Sequence, residues 1–197
     1  MKNSCKTRFL PAVTAIQNLI DSEKSPILVA IDGRCGCGKT TLGNYLAELF
    51  DCNLFHMDDF FLQPHQRTDE RGKEIGGNVD YERFYEEVLC KIIGQQSLLY
   101  RPFSCRNMNL SEGIWVEPKR LNIIEGSYSL HPHFKDPYDL KIFMDIDPET
   151  QYQNILARNG AEKAEVFRQV WIPKEEAYFN TYHIESGCLK ISWEDII

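Results

Sequence analysis

Short apolar runs bounded by turn residues alternate along this chain with longer stretches whose apolar positions recur at helical spacing. Residues 7–22 carry Phe9, Leu10, Val13, Ile16, Leu19 and Ile20 on one stripe, which predicts a helix packed on a sheet before the first strand. Ser25-Pro26 closes it, and Ile27–Ile31 follows as a short, mostly β-branched strand. A second helical stripe is formed by Leu42, Tyr45, Leu46 and Leu49, then Cys52–His56 reads as a second strand. Residues 63–79 are polar and broken by Pro64, Gly72, Gly76 and Gly77, which predicts a long loop. Asp80 then caps a helix with Phe84, Val88, Leu89 and Ile92 on its buried side.

Leu98–Phe103 and Ile114–Val116 flank a polar turn as a β-hairpin whose proline suits an excursion from the main sheet. Two further strands come from Leu121–Ile124, ending in Glu125-Gly126, and from Leu140–Asp147. Pro148 opens a helix through Tyr152, Ile155, Leu156 and Arg158 that stops at Asn159-Gly160. Helical segments with Val166, Phe167, Val170 and Trp171 then continue past Pro173 to about Tyr182, and Cys188–Ile191 supplies a last short strand. The βαβ alternation predicts an α/β architecture, one parallel sheet with helices on both faces. No repeat or domain boundary interrupts it.

Composition narrows the function classes. A chain of 197 residues suits one domain with a small lid, and 43% hydrophobic and 26% charged residues are ordinary for a globular protein. Net charge is −7 without clusters of Lys or Arg, so no basic field attracts nucleic acid or anionic lipid. No apolar run reaches the roughly 18 residues of a membrane span, and no leader pattern is visible. Seven scattered cysteines, outside C-x-x-C spacing, point to reduced thiols and a cytoplasmic protein.

The chemistry is concentrated in Gly33-Arg34-Cys35-Gly36-Cys37-Gly38-Lys39-Thr40, with Thr41 next, which satisfies G-x-x-x-x-G-K-[ST] between a strand and a helix. Glycines let successive N–H groups point inward at phosphate oxygens, Lys39 adds a movable cation, and the Thr40 hydroxyl suits Mg²⁺. The helix N-terminus beyond favours an anion. Cys35 and Cys37 lie where a helix dipole lowers thiol pKa, which would make them oxidisable without nucleotide; the simpler account is that small residues fit a tight loop.

Carboxylates fall at strand ends, where open α/β sheets hold their ligands. Asp58 and Asp59 follow the second strand, and Glu125 ends a strand as a Mg²⁺-associated carboxylate would. Phosphoryl transfer needs one such group to orient the acceptor hydroxyl, which suits Asp58. Asp80, as a helix cap at a pocket rim, can serve structure, acceptor binding or both.

Taken in order, Ile31-Asp32-Gly33, Met57-Asp58-Asp59-Phe60-Phe61, Gly77-Asn78-Val79-Asp80-Tyr81, Ile124-Glu125-Gly126 and Asp139–Asp145 resemble the uridine kinase-like branch of P-loop kinases. That branch includes nicotinamide riboside kinases, phosphoribulokinase and bacterial pantothenate kinase. The resemblance implies a P-loop nucleoside triphosphate hydrolase fold, three-layer α/β/α, with acceptor elements at about 63–118 and a lid at about 158–175. It also implies transfer from ATP, with Mg²⁺, to a hydroxyl of a small-molecule acceptor. By position Asp58 matches a general base beside Mg²⁺, Asp80 a sugar-hydroxyl binder, Glu125 an acidic strand end, and Arg158 a lid arginine. Asp59, Phe103 and Arg168 are further candidates for the acceptor side.

Two departures bear on the acceptor. Uridine kinases carry Tyr-x-Phe-x-x-His on the base-reading hairpin, and Phe103, Cys105 and Met108 stand at those positions here. Gln151, Gln153 and Asn154 stand where that branch is richer in arginine. A pyrimidine nucleoside is therefore disfavoured, and nicotinamide riboside, a non-nucleoside metabolite, or a regulatory nucleotide binder without transfer remain open. A homo-oligomer is compatible with all of these.

Overall fold

The computed structural model describes residues 7–192. A five-stranded sheet is assembled from β1 (Ile27–Gly33), β2 (Cys52–His56), β7 (Leu121–Glu125), β8 (Leu140–Asp145) and β9 (Leu189–Ser192) in the order β2-β7-β1-β8-β9. Every pairing is parallel, with Ile31 opposite Glu125 and Ile142. β1 is buried along its whole length, as a central strand covered on both faces must be. Its alternate side chains feed two cores. Ile27, Val29 and Ile31 pack with Phe9, which precedes the first helix, with Ile16 of that helix, and with Leu42 and Leu46 of the helix after the loop. Leu28 turns to the other face with Phe84, Val88, Phe143, Tyr178 and Phe179. All five expected main-sheet strands and the N-terminal helix (α1, Leu10–Asp21) are present; only the ends differ. β8 stops at Asp145 because Asp147 caps the next helix, accepting the Thr150 N–H at 2.9 Å.

The excursion between β2 and β7 carries the rest. β3 (Leu98–Tyr100) pairs antiparallel with β6 (Ile114–Val116), and beyond Pro102 a smaller ladder joins β4 (Phe103–Ser104) to β5 (Asn109–Leu110). Residues 63–79 are more ordered than their composition predicts. They hold a 3₁₀ turn at Pro64–Gln66 and a helix at Asp69–Lys73, capped by the Thr68 hydroxyl, which accepts from the Arg71 N–H. Arg71 organises the return by donating to the Gly77 and Val79 carbonyls, the Tyr81 hydroxyl and Glu82. One side chain thereby satisfies two carbonyls at the end of this segment, adding to the backbone bonds of its turns, such as Gly77 N–H to the Glu74 carbonyl at 3.1 Å. Among the described residues no helix is long and apolar enough to cross a membrane.

Candidate active site

The glycine-rich loop leaves β1 at the carboxyl edge of the sheet, and Lys39 begins the following helix (α2, Lys39–Leu49). Close packing dictates its first residue: Gly33 has φ +133°, and a Cβ there would stand 2.1 Å from the Met144 carbonyl oxygen. Beneath the loop, buried Asp32 accepts from the N–H groups of Gly33 (2.7 Å), Leu130 (3.0 Å) and Tyr128 (3.3 Å) and from the Tyr178 hydroxyl (2.9 Å). Burial raises its pKa from 3.8 to about 6, against the pull of Lys39 and these donors.

A cavity of about 1150 Å³ opens over the loop, larger than most single-ligand sites and wide enough for two reactants. It brings together Cys35, Gly36, Gly38, Lys39, Thr40, Thr41, Asp58, Glu125 and Arg158 from the residues the sequence singles out. The Lys39 ammonium bonds the Gly33 and Arg34 carbonyls at 2.6 and 3.0 Å. The Thr40 hydroxyl donates to Glu125 Oε1 at 3.0 Å. Asp58 and Glu125 are brought close because Gly126 lets the β7 end touch the β2 end, where a Cβ would meet that of Met57 at 2.9 Å. Burial raises the Asp58 pKa, with Glu125 and Glu175 adding to the rise while Lys39 and Arg158 oppose it.

Other expected residues are not brought into the cavity. Asp59 turns to the hairpin and accepts from the Tyr100 hydroxyl at 2.6 Å. Asp80 is 1% exposed, caps its helix through the Arg83 N–H and pairs with the Arg83 guanidinium. Phe103 is buried, and Arg168 is exposed and paired with Glu165. In the loop, Gly33, Arg34 and Cys37 are absent from the lining. The Arg34 amide is tied to the Met144 carbonyl and its guanidinium to Asp145 and Glu176. Cys35 and Cys37 are buried, and burial raises the pKa of both thiols. Desolvation disfavours the thiolate at both positions, which runs against the lowered thiol pKa expected from the helix dipole and is compatible with small residues fitting a tight loop.

The site also contains residues that sequence patterns did not mark. Glu175, from the helix Ile172–Tyr182, is 5% exposed and lines the cavity. Its carboxylate accepts the Cys35 N–H at 3.0 Å and the Ser127 hydroxyl at 2.6 Å. Gln151 and Asn154 donate to the Cys35 and Gly36 carbonyls, both at 3.0 Å, so these amides brace the loop where arginines were expected. His56 Nδ1 lies 2.5 Å from Glu125 Oε1, and that bond raises the imidazole pKa. The only signal for His56 was its place at a strand end; for Glu175 there was none.

A phosphate loop at the carboxyl edge of a parallel sheet, with carboxylates on the neighbouring strand ends, defines a P-loop kinase. A uridine kinase from Clostridium tetani is 30% identical over 152 residues, 71% of this chain and 71% of that protein. The chain belongs to the uridine kinase family. A phosphoribulokinase from Synechocystis sp. is 23% identical over 152 residues, which is 73% of this chain but 45% of that enzyme. A structure described as that of a possible uridine kinase from Bacillus stearothermophilus superposes with TM-score 0.71 at 18% identity, covering 98% of this chain and 100% of that one. That likeness bears on the fold alone. No protein-family model matches the chain.

Proposed function

We propose that this protein transfers the γ-phosphoryl group of ATP to a hydroxyl of a small acceptor held beside Asp58. The observation that carries the reading is the sharing of one cavity by Lys39, Thr40, Glu125 and Asp58. In the proposed reaction, backbone N–H groups of the Gly36–Thr41 stretch and the Lys39 ammonium hold the phosphates, with Lys39 exchanging loop carbonyls for phosphate oxygens. Asp58 orients the acceptor hydroxyl and takes its proton as the new O–P bond forms and the bond to ADP breaks. Its raised pKa makes it a better base than an ordinary aspartate. Arg158, opposite Asp58, stabilises charge as the segment at about 158–175 closes and excludes water, which would otherwise make the site an ATPase.

The donor set fits Mg²⁺. Thr40, Asp58 and Glu125 offer hard oxygens, and among the described residues no group of three metal-binding side chains has already converged. That suits an ion held by one or two carboxylates, water and substrate phosphates rather than by a protein cage. Bound there, Mg²⁺ would neutralise phosphate charge.

A pyrimidine acceptor fits poorly, since Phe103 is buried and Met108 stands exposed beside the small hairpin ladder. Asp58→Asn supplies the test: ATP binding should persist while transfer falls roughly 10²-fold or more. Unimpaired transfer would remove Asp58 from the reaction.

A further inference from the structure

The Glu125 carboxylate is held by two side chains at a single atom. Its Oε1 accepts the Thr40 hydroxyl at 3.0 Å and lies 2.5 Å from His56 Nδ1. An ionised carboxylate only accepts, so Nδ1 carries the hydrogen in this contact. Register explains the meeting: β2 and β7 run parallel with His56 directly opposite Glu125, and register partners point to the same face of a sheet. Glu125 is 3% exposed and lines the cavity, whereas His56 is absent from the lining and reaches the site through Glu125. The His56 backbone is fixed in turn by the hairpin. The Tyr100 hydroxyl, from β3, accepts the His56 N–H at 3.1 Å and donates to Asp59 at 2.6 Å. Among the described residues no donor reaches Glu125 Oε2, so both side-chain donors share one oxygen and the other stays available to the cavity.

We infer that His56 is a positioning residue: it fixes Glu125 against Thr40 and thereby sets how tightly Mg²⁺ is held with the nucleotide. This inference rests on the metal set of the transfer reading above and adds the group that orients one member of it. An unrestrained glutamate side chain populates several rotamers, and ordering it only when the ion arrives costs conformational entropy. The short, rigid imidazole, anchored at a strand end, removes that cost beforehand. Partners placed one hydrogen bond behind a metal-binding side chain change metal affinity by roughly 10- to 100-fold when they are removed.

The test separates metal from nucleotide. A non-hydrolysable ATP analogue is titrated calorimetrically into the protein, first in EDTA and then at graded Mg²⁺. His56→Leu keeps bulk without a donor; it should leave the metal-free affinity within about twofold and raise the Mg²⁺ concentration at half-effect by roughly tenfold or more. His56→Asn puts an amide N–H near the place of Nδ1 and should recover most of that loss. His56→Ala carries the same expectation as leucine should the leucine variant fail to fold. Equal weakening with and without Mg²⁺ would make His56 a structural support of the site as a whole and overturn the inference. An unchanged or lowered Mg²⁺ requirement would overturn it too, as would an asparagine variant no better than leucine. A raised Mg²⁺ requirement in the variants, with no small hydroxylic compound stimulating ATP turnover by the wild type, would uphold His56 and defeat the transfer reading. Stimulated turnover with an unshifted Mg²⁺ requirement would do the reverse.

Discussion

The Glu175 carboxylate accepts the Cys35 backbone N–H at 3.0 Å, placing an acidic side chain against the loop that is built to receive phosphate. Ser127 anchors its other oxygen at 2.6 Å, and Lys39 lies close enough for the carboxylate to help raise its pKa. The loop therefore carries an internal anion in the absence of nucleotide. An incoming phosphate has to share or displace it, because like charges in a poorly solvated site repel strongly.

Glu175→Gln keeps the shape and removes the charge, so ATP should bind more tightly, on the order of threefold to tenfold (about 1 kcal/mol). Isothermal titration with ATP and Mg²⁺ measures this directly. Weaker binding in the variant would show instead that Glu175 supports the loop in its binding conformation.

The raised pKa of Asp58 gives the reaction an acidic limb. A base acts only when deprotonated, so turnover should fall as pH falls through the Asp58 pKa, and this limb should lie above the range of an ordinary aspartate. Loss of Lys39 removes a group that holds the pKa down. Residual turnover of Lys39→Ala, reduced by roughly 10²-fold or more, should therefore show its limb shifted to higher pH. A pH–rate profile with no acidic limb above the ordinary aspartate range would detach Asp58 from proton transfer.

Asp32 links the same loop to stability. Its folded pKa of about 6 exceeds the ordinary 3.8, so between those values the native state holds more protons than the unfolded chain. Stability from this group is greatest below about pH 4 and declines as pH rises through 6, by roughly 3 kcal/mol at most. In Asp32→Asn an amide faces the same N–H and O–H donors and cannot titrate, costing about 1–3 kcal/mol at neutral pH. Urea unfolding at pH 4.5 and pH 7 should show a wider gap between wild type and variant at the lower pH. A gap that widens with rising pH would contradict the burial argument.

The sheet, the loop and the order of strand-end carboxylates were legible because each is written locally. Ile27–Ile31 is apolar over a short run, and the glycine spacing from Gly33 to Lys39 admits few other structures. Asp58 and Glu125 followed from the rule that ligands gather at strand ends. What sequence could not show were side-chain choices made at a distance. Asp59 and Asp80 read as cavity carboxylates until Tyr100 and Arg83 are seen to hold them elsewhere. Glu175 reads as a solvated helix position, and only the fold brings it to Cys35 across 140 residues. Gln151 and Asn154 looked like missing arginines, yet their amides satisfy loop carbonyls that a guanidinium's charge is not needed to satisfy.

Arg71 is the clearest case of one residue setting a wall of the site. It reaches the Gly77 and Val79 carbonyls at 2.9 Å each, the Tyr81 hydroxyl and Glu82, and its guanidinium stacks 4.0 Å from the centre of the Tyr81 ring. Glu82 responds with a lowered pKa: partial burial opposes the charge, but the hydrogen bond from Arg71 prevails. Removing Arg71 takes the side-chain donors from two backbone carbonyls, those of Gly77 and Val79, beyond the end of the short Asp69–Lys73 helix. Arg71→Ala should therefore loosen residues 68–79 before it unfolds the sheet, with amide exchange in that segment rising while β1 and β7 stay protected. The loss in global stability should be about 1–3 kcal/mol. Acceptor KM should rise more than ATP KM, because Thr68, Gly77 and Asn78 line the cavity on this side and the phosphate loop does not depend on them. Equal loss of protection across the sheet and this segment would mean that Arg71 belongs to the global core, and that the acceptor wall has no separate unit of stability.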